Sequence, residues 1–577
     1  MPENPKQANG EKSDSAGLDF IISKRRSIKD AVWHSIEFYC WEHPILNHFL
    51  VNRLHNIVQN STAYKVYPGL RYSRFSHSVG VMHVATQIFV NVVANSNKDA
   101  LKQLRSESEI FSTQLAPDAI RIISEIIPKS ICCPKEFAPL LALVRVGALL
   151  HDLGHLPYSH VFEHALENFL HGYHHPAWQP DNTADLRRSL ADRIREARKT
   201  APDTKLHELL GEHFGRLLVG EFKQEPTLSV VNGAVDLLYS GKAPATKSLL
   251  VSAIDADRID FVHRDLMFSG LQGCSVDFSR LFLCYELAQF ASDGKSDWIA
   301  RPNRQGISEG EKLLQDRFQD YRNIISHHKV HFFDELLERL IGALLVDGTL
   351  SSLLSNLDQL LTKENDDSLI SREDQIELLR ALLLRFDDPW LDVELRKEYE
   401  KARDKRKRGT TTDGEILWLK LFEAYAESRG LFQTVFKRDN EFSERAKHIA
   451  PEIFDRQVWP RIKATIGKLK YELEEQVRKE LGHLIVIGDM TTKLRHGLKD
   501  QQSAEFFGLS ALSDHLSRKI NEAPVFNIWI AHSDKSKTQK TEDDVLRHVF
   551  QSLHKHIQEV LLKQPTLPLR EAKAVIK

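Results

Sequence analysis

Cysteine is scarce in this chain. Cys40, Cys132, Cys133, Cys274 and Cys284 are the five in 577 residues, with no CxxC spacing. That excludes a dense disulfide framework and suits a reducing cytoplasm, with the adjacent Cys132 and Cys133 read as small core residues. An excess of one charge is missing too: Lys+Arg 78 against Asp+Glu 80 leaves a formal net charge of -2, so no global polycation advertises nucleic acid. Long apolar runs are also missing, none approaching the ~20 residues that span a bilayer. Residues 1–18 are polar with no apolar stretch, and they read as a disordered leader, not a signal peptide. The expectation is a soluble, cytoplasmic protein without a membrane partner. Apolar residues are plentiful, 42% of the chain, which supports a substantial core. The length suggests two to four domains or one large helical body, and no internal repeat is visible.

The chain is organised around Leu149 to His160, reading Leu-Leu-His-Asp-Leu-Gly-His-Leu-Pro-Tyr-Ser-His. An apolar run from Pro139 to Leu150 predicts a buried helix that delivers His151 and Asp152 from its last turn, with Gly154 stopping it. Adjacent helical residues point about 100° apart, so both side chains reach one ion lying off the helix end. Imidazole plus carboxylate suits a borderline or hard divalent metal. His155 and His160 follow closely. A lone His-Asp pair is common by chance, but four ionisable side chains beside an apolar helix need a reason.

Before this stretch, residues 19–58 carry two modest helical patterns, the second from Pro44 to Val58, and Ala63–Gly69 is β-prone and closed by Pro-Gly. The segment Arg71–Gly80 opens a helix continuing through Val93. Its Arg74 and His77, three residues apart, suit an always-charged phosphate donor beside a metal ligand, or a surface Arg and a core His. After it, a helix from Ser159 to Leu170 places Glu163 near His160. Residues 171–205, with His171, His174, His175 and seven basic residues, read as a solvated insertion. His207 and Glu208 open the next helix. Between Leu249 and Phe268, acidic and basic residues interleave with apolar ones at helical spacing. A carboxylate in such a helix is costly to bury unless it meets a cation, and Asp257 sharing a metal with His151 and Asp152 would resolve that cost. A hairpin is expected at 281–300 and helices through Val346. Charged helices follow from 350 to 482, interrupted at 363–372 and 401–414, with strands at 484–488 and 525–530 and a last helix. The basic stretches 187–199 and 401–408 read as solvated faces, with nucleic-acid contact a minority reading.

With Tyr67-Pro68-Gly69, Arg74-Phe75-Ser76-His77, His151-Asp152-Leu153-Gly154-His155, His207-Glu208 and Asp255-Ala256-Asp257-Arg258 in order, the chain resembles the HD superfamily of metal-dependent phosphohydrolases. Within it, the resemblance is to deoxynucleoside triphosphate triphosphohydrolases, including the catalytic domain of SAM-and-HD-domain dNTPases, from about residue 28 to 335. The resemblance implies an HD-domain helical core with small β hairpins over 19–346. The residues beyond it read as a helical C-terminal region, 347–577, carrying a small sheet, with a regulatory or oligomerising role as the expectation, so that the whole is mainly α. It implies His77, His151, Asp152 and Asp257 as ligands of a divalent metal (Fe, Mn, Zn or Mg), and Arg74 and Arg258 as phosphate contacts. It places Gln59 and Asp265 at the sugar 3′-hydroxyl, and His155, His160 and His207 around the scissile phosphate, with Glu163 orienting one of them. The implied partners are a dNTP substrate, a nucleotide activator and further copies of the chain. The sequence departs from the family at Phe261 and Ser326, where tyrosines are expected, and in the 171–205 insertion. A phosphohydrolase of a cyclic dinucleotide or alarmone, and a nucleotide-binding sensor or scaffold, are the alternatives.

Overall fold

The structure, a computed structural model, describes residues 25–563 apart from 179–181, 200, 203, 272, 293–294, 362–371, 428–430, 438, 450, 452–458, 491–498, 500, 506–507, 523–525 and 532–538. The expected leader lies outside the described residues.

The chain enters through an antiparallel hairpin, β1 (Arg25–Asp30) and β2 (His34–Tyr39), with Ile28 opposite Ile36. This corrects the helical reading of the first pattern. β2 buries Ile36, Phe38 and Tyr39, and the Asp30 carboxylate accepts the Val32 and Trp33 N–H groups to shape the turn. The second pattern is not one helix but the short turns His43–Leu46, Phe49–Asn52 and Arg53–Asn56. Ala63–Gly69 holds a single 3-10 turn, Ala63–Lys65, where a strand was expected.

The core is built on long helices. α1 (Arg74–Asn95) starts where the Ser73 hydroxyl accepts the Ser76 N–H. By length and composition α1 suffices to cross a membrane, against the expectation that no run would, but 72% of its most apolar window is buried inside the fold. It therefore occupies the place of a core helix. α2 (Ala138–Leu150) buries every residue, including Arg145, whose guanidinium meets the Glu42 carboxylate at 2.7 and 2.8 Å. A buried charge needs such a partner. α3 (His160–Leu170), α4 (Leu206–Val219) and α5 (Ala256–Ser269) complete the site's frame, with α1 packed between α2 and α5. The β3 (Tyr285–Ser292) and β4 (Lys295–Pro302) hairpin lies a few residues beyond its expected place.

Residues 171–205 are not a solvated insertion. A helix, Ala184–Ala197, buries Leu190 and Ile194 and packs on the helix Ser351–Leu360, while His175 is also buried. Its arginines are paired: Arg193 with Asp358, Arg198 with Glu167, Arg188 with Asp185.

Among the long helices of the C-terminal part are α6 (His328–Asp347), α7 (Asp388–Arg408) and α8 (Trp459–Leu481), and the expected last helix spans Gln539–Lys563. The basic run 401–408 continues α7 to a left-handed Gly409, so the expected break there is confined to the following loop. The small sheet has antiparallel order β5 (Phe432–Thr434), β7 (Phe526–Ala531), β6 (Ile485–Asp489), one strand more than expected. One apolar core runs from Ile36 to Trp529 and a second is confined to residues 435–553. The class is mainly α with small sheets.

Candidate functional site

His151 follows the last turn of α2 still in helical conformation. Its Nδ1 lies 2.7 Å from the Ala148 carbonyl, which fixes Nδ1 as the protonated nitrogen, while Nε2 is buried without a hydrogen-bond partner. Four residues into α1, His77 is wholly buried, its Nδ1 2.8 Å from the Asp260 carboxylate and its Nε2 2.9 Å from Asp257 Oδ1. Asp152 closes the group: its Oδ1 is 3.4 Å from His151 Nε2, and its Oδ2 is 3.8 Å from His77 Nε2. The ligand atoms of His77, His151 and Asp257 lie within 4.8 Å of one another. Two imidazoles with their far nitrogens engaged and two carboxylates facing them form a donor set suited to a divalent cation.

The electrostatics agree. Burial opposes an imidazolium at His77, yet Asp257 and Asp260 outweigh it and hold its pKa up at about 10. A site that grips a proton so strongly between two carboxylates also favours a metal cation in its place. Burial would raise Asp152, but the Arg74 guanidinium, 2.5 Å from Oδ2, and His151 hold it well below the usual range.

Beside this centre stands a second cluster. The rings of His155 and His207 stack at 4.1 Å. The Glu163 carboxylate faces Nδ1 of His160 at 3.1 Å and Nδ1 of His207 at 2.9 Å, and accepts the His207 backbone N–H. Burial works against a charged Glu163, but these partners depress its pKa well below the normal value. His155 Nε2 is 3.3 Å from Asp152 Oδ1, tying the two clusters together. Gly154 makes this approach possible: a Cβ there would sit 2.0 Å from the His207 carbonyl oxygen and 2.3 Å from Gly211 N.

A third group faces the same region. Asp265 Oδ1 accepts from Tyr72 OH at 2.6 Å and from Asn60 Nδ2 at 2.5 Å, while Oδ2 is buried and unpartnered. Burial lifts the Asp265 pKa to about 7. Gln59 Oε1 is likewise buried without a partner. Orphaned buried acceptors are rare in a folded protein and point to a missing donor. Arg258 instead turns to the Asp255 carboxylate and the Ser252 carbonyl.

No family model matches the chain. It is 22% identical over 366 residues to an uncharacterised protein of Methanocaldococcus jannaschii, covering 62% of this chain and 59% of that one. It is 24% identical over 319 residues to an HD domain-containing protein of Acanthamoeba polyphaga mimivirus, covering 55% and 57%. It is 25% identical over 277 residues to the deoxynucleoside triphosphate triphosphohydrolase SAMHD1 of Bos taurus, covering 46% and 38%. The chain is thus similar to HD domain-containing proteins. It spans less than two thirds of the length of each of these relatives. Among solved structures, a phosphohydrolase from Bacteroides thetaiotaomicron matches with a TM-score of 0.49 and 16% identity, over 89% of this chain and 100% of that one.

Eleven of the twelve residues singled out from the sequence gather in the three groups just described; Arg258 follows Asp257 in the first turn of α5, held to Asp255. Glu163 engages two histidines where one was expected. Sequence reasoning missed the roles of Asp260, which lies one turn after Asp257 and backs His77, and of Trp33, whose Nε1–H donates to Asp260 at 2.5 Å. The signal for Asp260 was its i+3 spacing from Asp257; none marked Trp33. Position 326 does not supply an aromatic ring, but Tyr321, in the π-helical turn Tyr321–Ile325, sets its ring 6.4 Å from Phe261.

Proposed function

We propose that the chain hydrolyses deoxynucleoside triphosphates to the deoxynucleoside and inorganic triphosphate. The observation that carries this reading is the convergence of His77, His151, Asp152 and Asp257 on one point, beside the unpartnered Gln59 Oε1 and Asp265 Oδ2. Those four residues would hold a divalent cation, which would supply the Lewis acidity that activates water and polarises a phosphoryl oxygen. Arg74, fixed by Ser159 and Asp152, binds phosphate charge beside that point. Arg258 joins it by exchanging Asp255 for the polyphosphate. Glu163 accepts from Nδ1 of His160 and His207, which leaves each Nε2 free to take up a proton and sets a carboxylate beside the ring that would then be charged. His160, half of whose side chain is exposed, takes that proton from solvent at Nε2 and delivers it to the leaving 5′-oxygen. Burial lowers its pKa to about 4, so the charge of a bound polyphosphate must raise it for this step, typically worth about 10²–10⁴-fold. Gln59 and Asp265 take the sugar hydroxyl as donor, and Tyr321 gives the aromatic face that Ser326 lacks. Support for the substrate class comes from the resemblance of these positions to dNTP triphosphohydrolases, of which SAMHD1 is a 25% identical relative.

The test is product chromatography with Mn²⁺ and each dNTP and NTP, singly and mixed. Deoxynucleoside plus triphosphate is expected, with Asp152→Ala lowering turnover at least 10³-fold in a folded protein. Turnover only in mixtures would add a nucleotide activator. Full activity in Asp152→Ala sinks the site, and turnover confined to a cyclic dinucleotide or alarmone replaces the substrate.

A further inference from the structure

Arg74 Nε donates to Ser159 Oγ at 2.6 Å, so the arginine is aimed by the turn that carries Ser159. That turn is strained: Tyr158 and Ser159 have φ of 53° and 54°. Such conformations are uncommon for residues other than glycine and persist only where the surroundings over-determine them. Here the surroundings come from α7. Asp388 Oδ1 accepts the Tyr158 N–H at 2.6 Å, and Asp388 Oδ2 accepts the Val58 N–H at 2.9 Å. Ser159 Oγ donates in turn to the Val58 carbonyl at 2.7 Å, so one carboxylate staples both segments that meet at Ser159. Asp392 accepts from the Tyr158 hydroxyl at 2.7 Å, and Asp387 from Asn56 Nδ2 at 2.9 Å. Helix capping does not account for Asp388, because Asp387 already accepts the Trp390 N–H. The Asp388 side chain is buried, a cost the two backbone bonds offset.

We infer that Asp388 is a positioning residue that sets Arg74 for anion binding through the Tyr158–Ser159 turn and Val58, so that α7 is a working part of the site. The proposed function enters only in what Arg74 binds. The clamp itself is a matter of geometry. Ser61, whose hydroxyl donates to the Tyr158 carbonyl at 2.7 Å, holds the next peptide group of the same turn and keeps the turn from collapsing outright when Asp388 is altered.

The test compares full-length wild type with Asp388→Asn and Asp392→Ala, all loaded with Mn²⁺. Metal content, hydrogen exchange of peptides covering 56–62 and 155–162, and binding of inorganic triphosphate by calorimetry are read together. Asp388→Asn is expected to exchange faster in both peptides and to bind triphosphate about tenfold more weakly, with unchanged metal content, which a site-wide loss of structure would not leave intact. Unchanged exchange and affinity in the folded variant overturn the inference, as does loss of metal together with affinity. If Asp388→Asn does not fold, Asp392→Ala is judged on exchange at 155–162, where no change overturns it. A wild type that ignores triphosphate contradicts the proposed function, and exchange alone then decides the clamp.

Discussion

Asp260 shows how a single carboxylate serves the site without facing the reaction. It receives the Trp33 indole on Oδ1, while Oδ2 meets His77 Nδ1 at 2.8 Å and Arg264 Nε at 2.7 Å. Gly80 gives it room, since a Cβ there would lie 1.9 Å from Asp260 Oδ1. Such partners fix the tautomer of a ligating histidine, and losing one typically costs about 10–100-fold in metal affinity. Asp260→Asn is therefore expected to weaken Mn²⁺ binding by that factor in a competition titration, with the circular dichroism spectrum unchanged. Undiminished affinity would show that His77 needs no such support.

At the scale of elements, α7 carries a carboxyl group that titrates near neutrality. Burial, then the charges of Asp392 and Asp387, lift Asp388 to about 7 against the pull of its two backbone bonds; Arg53 is the cation facing it. An ordinary Asp titrates near 3.9, so the fold favours the protonated group. Its contribution to stability is complete below about pH 4 and is lost as pH rises through 7. The melting temperature of wild type relative to Asp388→Asn is expected to fall between pH 5 and pH 8, and parallel curves would contradict this. α7 also marks where the sequence stopped being legible. α2 announces itself through an apolar run, interrupted only by Arg145, that ends in His-Asp, and α1 and α5 through ligands placed at helical spacing. Asp388 is one acidic residue among many in a charged stretch, and only the fold brings it 2.6 Å from Tyr158 N. β1 escaped for a related reason: Arg-Arg-Ser-Ile-Lys-Asp is mostly exposed and shows no alternation to read. At three residues, β5 is too short to display a period.

At the scale of the whole molecule, the core around the site and the C-terminal part are joined through α6. Glu335 and Arg339 of α6 meet Lys470 and Glu474 of α8 in a buried network, and Arg339 Nη2 also donates to the Ile487 carbonyl of β6 at 2.9 Å. Buried charges paired this completely hold one docking register, because removing any partner strands another charge out of water. With Asp388 reaching back to the site from the other side, the frame around Arg74 and the metal ligands draws on chain well beyond residue 346. That frame is what the proposed reaction requires: a dry, fixed set of cations and carboxylates around one phosphorus. The most direct test is hydrolysis of a dNTP in H₂¹⁸O with Mn²⁺, followed by mass spectrometry of the products. The account predicts one ¹⁸O in inorganic triphosphate and none in the deoxynucleoside. Label appearing in orthophosphate or pyrophosphate, with a nucleotide as the other product, would contradict it.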